Sequence, residues 1–121
     1  MKLTLHNPEG QNLISGHSST EIFINAKPHA APIVIMAHTI TPWEFDVSQP
    51  LNVAAFTNLL AMRPELVVFG SGAMFRFPDQ RIGVEFAKLG IGFDVMDTPA
   101  ACRTYNVLLS EGRNVAAALI L

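Results

Sequence analysis

The sequence predicts an α/β fold whose two halves are built differently. The C-terminal half alternates strand-like and helix-like segments, an order typical of βαβ units with parallel strands and right-handed crossovers. The N-terminal half holds short strand-like segments separated by turns too short for helices, so we expect antiparallel pairing there. Hydrophobic residues make up 50% of the chain, which is enough to form a packed core.

Three strands are predicted in the N-terminal half. Glu21–Asn25 is a short β-type run that ends at a predicted break over residues 26–28. Residues 32–37 are almost continuously apolar, which indicates a strand buried on both faces. Residues 43–47 alternate apolar and polar side chains, the pattern of a half-buried strand. Residues 1–20 carry little periodicity and are predicted to form loops or short edge strands.

Three helices and three strands are predicted in the C-terminal half. Asn52 is a candidate N-cap of the first helix, and Pro64 ends that helix. The second helix follows Asp79 and ends near Gly90, a residue suited to the left-handed position after a helix. The third helix runs from about Pro99 to Ser110, and the predicted strands cover residues 65–69, 92–96 and 114–121.

Length and charge limit the classes of function. At 121 residues without a linker, the chain is predicted to form one domain over residues 1–121. A net charge of −2 and scattered basic residues argue against nucleic-acid binding. Only 15% of residues are charged, which favours self-association or a protein partner, the alternative being a monomer with a low-charge surface.

Cellular location is predicted from what the sequence lacks. Its longest apolar runs are too short to cross a bilayer, and no signal-peptide pattern opens the chain. The single cysteine, Cys102, cannot form an internal disulfide and therefore fits a reducing compartment. The expected location is the cytoplasm.

Two turns at predicted strand ends are candidates for a ligand site. Gly70, Ser71 and Gly72 follow one strand, and their backbone N–H groups are candidates to hold an anion. Asp97 and Thr98 follow the next strand and open a helix, at the edge where open α/β sheets place ligands. The alternative is purely structural: the first motif is a tight turn, and the second is a helix cap.

The third predicted helix supplies two further candidates. Arg103 and Asn106 are placed near the rim of the sheet, where Arg103 can anchor an anion. Cys102 has an adjacent arginine but no identifiable histidine partner, so we interpret it as a buried, inert thiol. No metal-binding motif and no catalytic constellation is recognised, and no cofactor is predicted.

The string MDTPAACRTYN over residues 96–106, the following Glu111-Gly112-Arg113 and the alanine-rich last strand together resemble the adipogenesis-associated, Mth-type domain family. The similarity extends from Trp43 to the C-terminus, and Ser71 stands where members usually carry threonine. The resemblance implies a three-layer α/β fold around a mixed central sheet. It also implies relatives that include a mitochondrial assembly factor for respiratory complex I, without an enzyme activity or a cofactor.

Two functions follow from these observations. The first is a non-catalytic interaction or assembly-factor-like module, whose partner by resemblance is a respiratory-complex subunit. The second is a small-molecule or anion-binding protein, or an enzyme, with a pocket formed by Gly70, Ser71, Gly72, Asp97 and Thr98 together with Arg103 and Asn106. This second function requires Arg103 to face a concave pocket.

Overall fold

The computed structural model describes residues 10–45 and 51–121. Within these residues it has eight strands, three α-helices and one 3₁₀ helix. The strands are β1 (Ile14–His17), β2 (Glu21–Ile24), β3 (Lys27–Ala30), β4 (Ile33–Ile35), β5 (Ile40–Pro42), β6 (Leu66–Ser71), β7 (Gly92–Met96) and β8 (Val115–Ile120). The helices are the 3₁₀ helix Val53–Phe56, α1 (Thr57–Met62), α2 (Gln80–Lys88) and α3 (Thr98–Ser110).

The central sheet is mixed, as the sequence and the resemblance predicted. Its strand order is β5-β4-β8-β6-β7. The pairs β8–β6 and β6–β7 are parallel, whereas β4 is antiparallel to both β5 and β8. Parallel neighbours need a crossover connection, and helices α2 and α3 supply it. The carboxyl ends of β6, β7 and β8 therefore meet at one edge of the sheet.

The sheet is covered on both faces, which gives three layers. Helix α3 and the small sheet of β1, β2 and β3 lie on one face, and the 3₁₀ helix, α1 and α2 lie on the other. Neighbouring residues of one strand enter opposite cores, as Val68 and Phe69 of β6 do. This explains why β6 and β8 have almost continuous apolar sequences: strands buried on both faces have no polar side.

The N-terminal sheet corrects one prediction. The predicted break at residues 26–28 is right in ending the strand that begins at Glu21, but it is wrong in excluding a strand: Asn25 and Ala26 form a two-residue hairpin turn that leads directly into β3. Both residues have positive φ values, 50° and 68°, the combination that matches the twist of two paired strands. Pro28 is tolerated within β3 because this strand pairs only with β2 and its other edge needs no ladder hydrogen bond.

The predicted strand over residues 43–47 is also misplaced. The observed strand β5 ends at Pro42, residues 43–45 are not in a strand, and residues 46 and 47 lie outside the described residues. Trp43 is buried, and its indole Nε1 donates a hydrogen bond to the carbonyl of Ala55 at 2.7 Å. Its ring contacts Phe45 at a centroid distance of 4.8 Å. The alternating aromatic residues therefore anchor a connection to the helical layer.

The helix boundaries agree with the predicted capping residues. Asn52 accepts a hydrogen bond from the Ala55 N–H at 3.3 Å, but the turn it opens is 3₁₀ before α1 begins. Asp97 caps α3, since its Oδ1 accepts from the Ala100 N–H at 2.8 Å. Gly112 follows α3 with a φ of 78°, the left-handed conformation in which glycine carries no Cβ penalty.

Candidate functional site

The two predicted turns meet at the carboxyl edge of the sheet, where Thr98 joins them. Its side chain is fully buried. The Thr98 hydroxyl accepts a hydrogen bond from the Gly72 N–H at 2.8 Å and donates one to the Ile120 carbonyl at 2.5 Å. The Thr98 N–H in turn donates to the Gly72 carbonyl at 2.8 Å. One residue thus ties the ends of β6 and β8 to the start of α3.

Gly70 is required by this close approach. A Cβ atom built on Gly70 would lie 2.8 Å from Thr98 Oγ1 and 2.9 Å from Leu119 Cδ2. Real Cβ contacts are longer than this, so either the helix start or the strand would have to move. The two glycines therefore have different roles. Gly70, in β6, allows Thr98 and Leu119 to pack closely against the strand. Gly72, with a φ of 106°, allows a backbone conformation that other residues rarely adopt.

We expect Gly70→Ala to lower the free energy of unfolding by about 1–3 kcal/mol, because it overpacks a rigid junction. Urea denaturation of the purified protein measures the change. Gly83→Ala is the matched control, since Gly83 lies within α2 and nothing lies within 4 Å of its added Cβ. That control should raise stability by about 0.5–1 kcal/mol through helix propensity. Equal changes in both variants would contradict the packing argument.

The side chains of Ser71 and Asp97 also form hydrogen bonds within the chain. Ser71 Oγ donates to the Met74 carbonyl at 2.8 Å and accepts from the Arg76 N–H at 3.0 Å, so it shapes the loop after β6. Asp97 caps α3 as described above. The junction brings together five of the predicted site residues: Gly70, Ser71, Gly72, Asp97 and Thr98. An anion at this junction stays a prediction, and binding there would compete with these internal bonds.

The other two predicted residues lie elsewhere. Asn106 joins α3 to β1: its Oδ1 accepts from the Ile14 N–H at 2.9 Å, and its Nδ2 donates to the Ile14 carbonyl at 2.7 Å. Beside it, the buried Tyr105 donates its hydroxyl to the Asn12 carbonyl at 2.7 Å. Arg103 is exposed on α3 and lines none of the clefts described below.

Cys102 lies on the buried face of α3. Burial raises the pKa of its thiol to about 11, and the charge of Arg103 offsets only part of this shift. Because the thiolate is the reactive form, the raised pKa disfavours nucleophilic chemistry at neutral pH. Burial likewise raises the pKa of the Tyr105 hydroxyl. Among residues 10–45 and 51–121, no three histidine, cysteine or acidic side chains are grouped to hold a metal ion.

The sequence did not predict a cleft of about 450 Å³ at this edge, on the α2 face of the sheet. Ser71 is the one predicted site residue in its wall. The signal that could have found it is the segment from Met74 to Phe77, which is too apolar for an ordinary loop. The lining residues are Ala31, Pro32, Phe45, Leu51, Phe69, Ser71, Arg76, Phe77, Pro78, Asp79, Ile120 and Leu121.

The loop over residues 73–78, here called the β6–α2 loop, borders this cleft and exposes large apolar side chains. Phe77 is 78% exposed, Met74 69% and Phe75 50%. The rings of Phe75 and Phe77 pack edge to face at a centroid distance of 4.6 Å. Such an exposed cluster is uncommon on a monomer and is typical of contact surfaces, where aromatic residues and methionine are enriched.

The charges beside the loop are not equivalent. Asp79 forms an ion pair with Arg81, with Nη2 and Oδ2 2.7 Å apart, and this hydrogen bond holds the pKa of the Asp79 carboxyl below its ordinary value. Arg76 is exposed and has no ion-pair partner within residues 10–45 and 51–121.

A second cleft, of about 280 Å³, opens on the α3 side between Thr98, Pro99 and the turn at residues 17–19.

The fold is of the three-layer α/β class. Helices and a small sheet cover both faces of a mixed central sheet, and the ends of β6 and β8 meet the start of α3 at one edge. The chain belongs to the family described as "Protein of unknown function (DUF498/DUF598)", whose model matches residues 14–120. A solved structure from Bordetella pertussis named a Mth938-like domain has the same fold, with a TM-score of 0.79 at 22% identity over 99% of this chain and 92% of that one. These findings confirm the predicted family.

Two further relatives are closer in sequence. The structure of a Xanthomonas campestris protein is 30% identical with a TM-score of 0.80, covering 99% of this chain and 92% of its own. The human "NADH dehydrogenase [ubiquinone] 1 alpha subcomplex assembly factor 3" is 32% identical over 109 residues, which are 88% of this chain. This chain spans 59% of the human protein's length. No helix within the described residues is long and apolar enough to cross a membrane.

Proposed function

We propose that this chain is a non-catalytic, assembly-factor-like module that binds another protein through the β6–α2 loop. The observation that carries the proposal is the cluster of Met74, Phe75 and Phe77, whose apolar surface faces solvent. Interfaces gain most of their binding energy from a few buried aromatic anchors, and two aromatic rings already in contact lose little freedom on binding. At the neighbouring junction, the Thr98 hydroxyl is hydrogen-bonded to both the Gly72 N–H and the Ile120 carbonyl, which favours a structural role for these groups.

The partner we propose is a subunit of the respiratory NADH dehydrogenase. Support comes from the relative named as an assembly factor of that complex, which is similar to most of this chain. An assembly factor holds a subunit transiently, and an exposed apolar loop suits a surface that is covered only during assembly. The single cysteine suits a reducing compartment such as the cytoplasm.

Site-specific photocrosslinking in the native host tests this proposal. A photoreactive phenylalanine analogue replaces Phe77, and a second strain carries it at Val107, which is 56% exposed on α3. We expect position 77 to crosslink a subunit of NADH dehydrogenase, identified by mass spectrometry, and position 107 not to. Crosslinks to the same subunit from both positions, or to no NADH dehydrogenase subunit from position 77, would contradict the proposal.

A double variant tests whether the contact matters for assembly. Phe75→Ser with Phe77→Ser should reduce the amount of assembled NADH dehydrogenase on native gels to the level of a gene deletion. The matched control, Val107→Ser, also removes an exposed apolar side chain and should leave the complex at its normal level. Circular dichroism of both purified variants verifies that they are folded. A deletion strain with normal levels of assembled complex would refute the role in assembly.

A further inference from the structure

The cleft beside the β6–α2 loop has walls suited to a hydrocarbon group. Apolar side chains from several parts of the chain line it, among them Phe69, Ile120 and Leu51. Its volume of about 450 Å³ lies within the range of small-molecule sites, which is roughly 300–1,000 Å³. Burying an alkyl chain against such walls removes apolar surface from water, so the affinity is expected to rise with each methylene group that is buried.

Among the described residues, the lining of the cleft holds one charged side chain without an ion pair. The lining contains two charged side chains, Arg76 and Asp79. Asp79 is ion-paired with Arg81 through hydrogen bonds of 2.7–3.2 Å, whereas Arg76 has no ion pair within the described ranges 10–45 and 51–121. An anionic group at the mouth can therefore take Arg76 as its counter-ion, and a guanidinium matches the two oxygens of a carboxylate.

The hydrogen-bonding groups of the cleft favour a small ligand over a peptide. A bound peptide exposes a polar backbone that needs several donors and acceptors. Ser71 Oγ already donates to the Met74 carbonyl and accepts from the backbone N–H of Arg76. Asp79 Oδ1 already accepts from the backbone N–H of Arg81. Among the described residues, no buried side-chain nitrogen or oxygen lacks a partner. An alkyl carboxylate needs only one polar partner, at its head.

We propose that this cleft binds a medium-chain alkyl carboxylate, with the hydrocarbon chain against Phe69 and Ile120 and the carboxylate on Arg76. This inference is independent of the protein partner proposed above. Its test needs only the purified chain, so the two proposals can fail separately.

Titration calorimetry of the purified full chain with decanoate, decanol and decyltrimethylammonium, supported by amide NMR spectra, tests the site. We expect decanoate to bind at one saturable site and to shift the amide signals of Ser71, Phe77 and Leu121. Octanoate should bind about tenfold more weakly, because it buries two fewer methylene groups. Decanol should bind about fivefold more weakly than decanoate, and the cationic ligand more weakly still.

Two matched variants test whether Arg76 is the counter-ion of the bound carboxylate. Arg76→Gln should weaken decanoate binding about fivefold and leave decanol binding unchanged. Arg103→Gln removes the same charge from the opposite face of the sheet and should change neither. Equal binding of decanoate and decanol, an unchanged affinity in Arg76→Gln, or signal shifts confined to the second cleft at Pro99 would overturn the proposal. Tighter binding of an acetylated Leu-Leu-Phe peptide than of decanoate would also overturn it, since the occupant would then be a polypeptide.

Discussion

Replacing Phe56 by alanine is expected to lower the free energy of unfolding by about 3–5 kcal/mol, the usual cost of removing a buried phenylalanine ring. Phe56 is fully buried, and its ring lies in edge-to-face contact with four others at centroid distances of 5.0–5.8 Å. These partners are Trp43, Phe69, Phe86 and Phe93. The ring thus joins the central sheet to α2 and to the Trp43 connection, and its loss leaves a cavity in the middle of that core.

Guanidinium denaturation measures this change, and Phe77→Ala is its matched control. The control removes the same atoms from a side chain that is 78% exposed and should change stability by less than about 1 kcal/mol. Because Phe77 is also the proposed contact residue, the control separates folding from function at that position. A change of less than 1 kcal/mol in Phe56→Ala would show that this core collapses around the missing ring.

Thr98→Val is expected to lower the free energy of unfolding by about 2–4 kcal/mol, although valine keeps the shape of threonine. The substitution leaves the Gly72 N–H and the Ile120 carbonyl without their shared partner, and each unsatisfied buried group costs about 1–3 kcal/mol. Urea denaturation measures this change in the free energy of unfolding. It is followed by both fluorescence and circular dichroism, because coincident transitions show that unfolding is two-state.

Thr98→Ser keeps the hydroxyl and removes a methyl group, so it should retain most of the stability that Thr98→Val loses. If serine and valine were equally destabilising, the methyl group rather than the hydrogen bonds would hold the junction. Hydrogen exchange gives a second measurement, since the Gly72 amide should lose protection in Thr98→Val and keep it in Thr98→Ser.

The regular elements of the C-terminal half were predictable because local signals and burial agree there. Asp97 with Pro99 and Gly112 mark the limits of α3 by chemistry that acts within one turn. The hairpin at Asn25 and Ala26 was missed because alanine rarely adopts positive φ, so its turn carries no glycine signal. The strand at residues 43–47 was misplaced because Trp43 and Phe45 alternate to reach the aromatic core.

The candidate site was predictable only in part. Adjacent parallel strands must end at one edge, so Gly70 and Thr98 could be placed together from the order of elements alone. The roles of Asn106 and Tyr105 could not, because their partners Ile14 and Asn12 lie 92 and 93 positions away, in and just before a short strand that local patterns scarcely mark. The cleft depends on residues from four separate segments, and no spacing in the sequence relates them.

The strand order has a consequence for biosynthesis. Strand β8 lies between β4 and β6, yet it is translated after both of them. Until residues 115–120 leave the ribosome, β4 and β6 each lack a neighbour, and their apolar edges are open to wrong pairing. The order of the strands therefore delays completion of the sheet until β8 has been translated, and the edges of β4 and β6 that pair with β8 stay open until then.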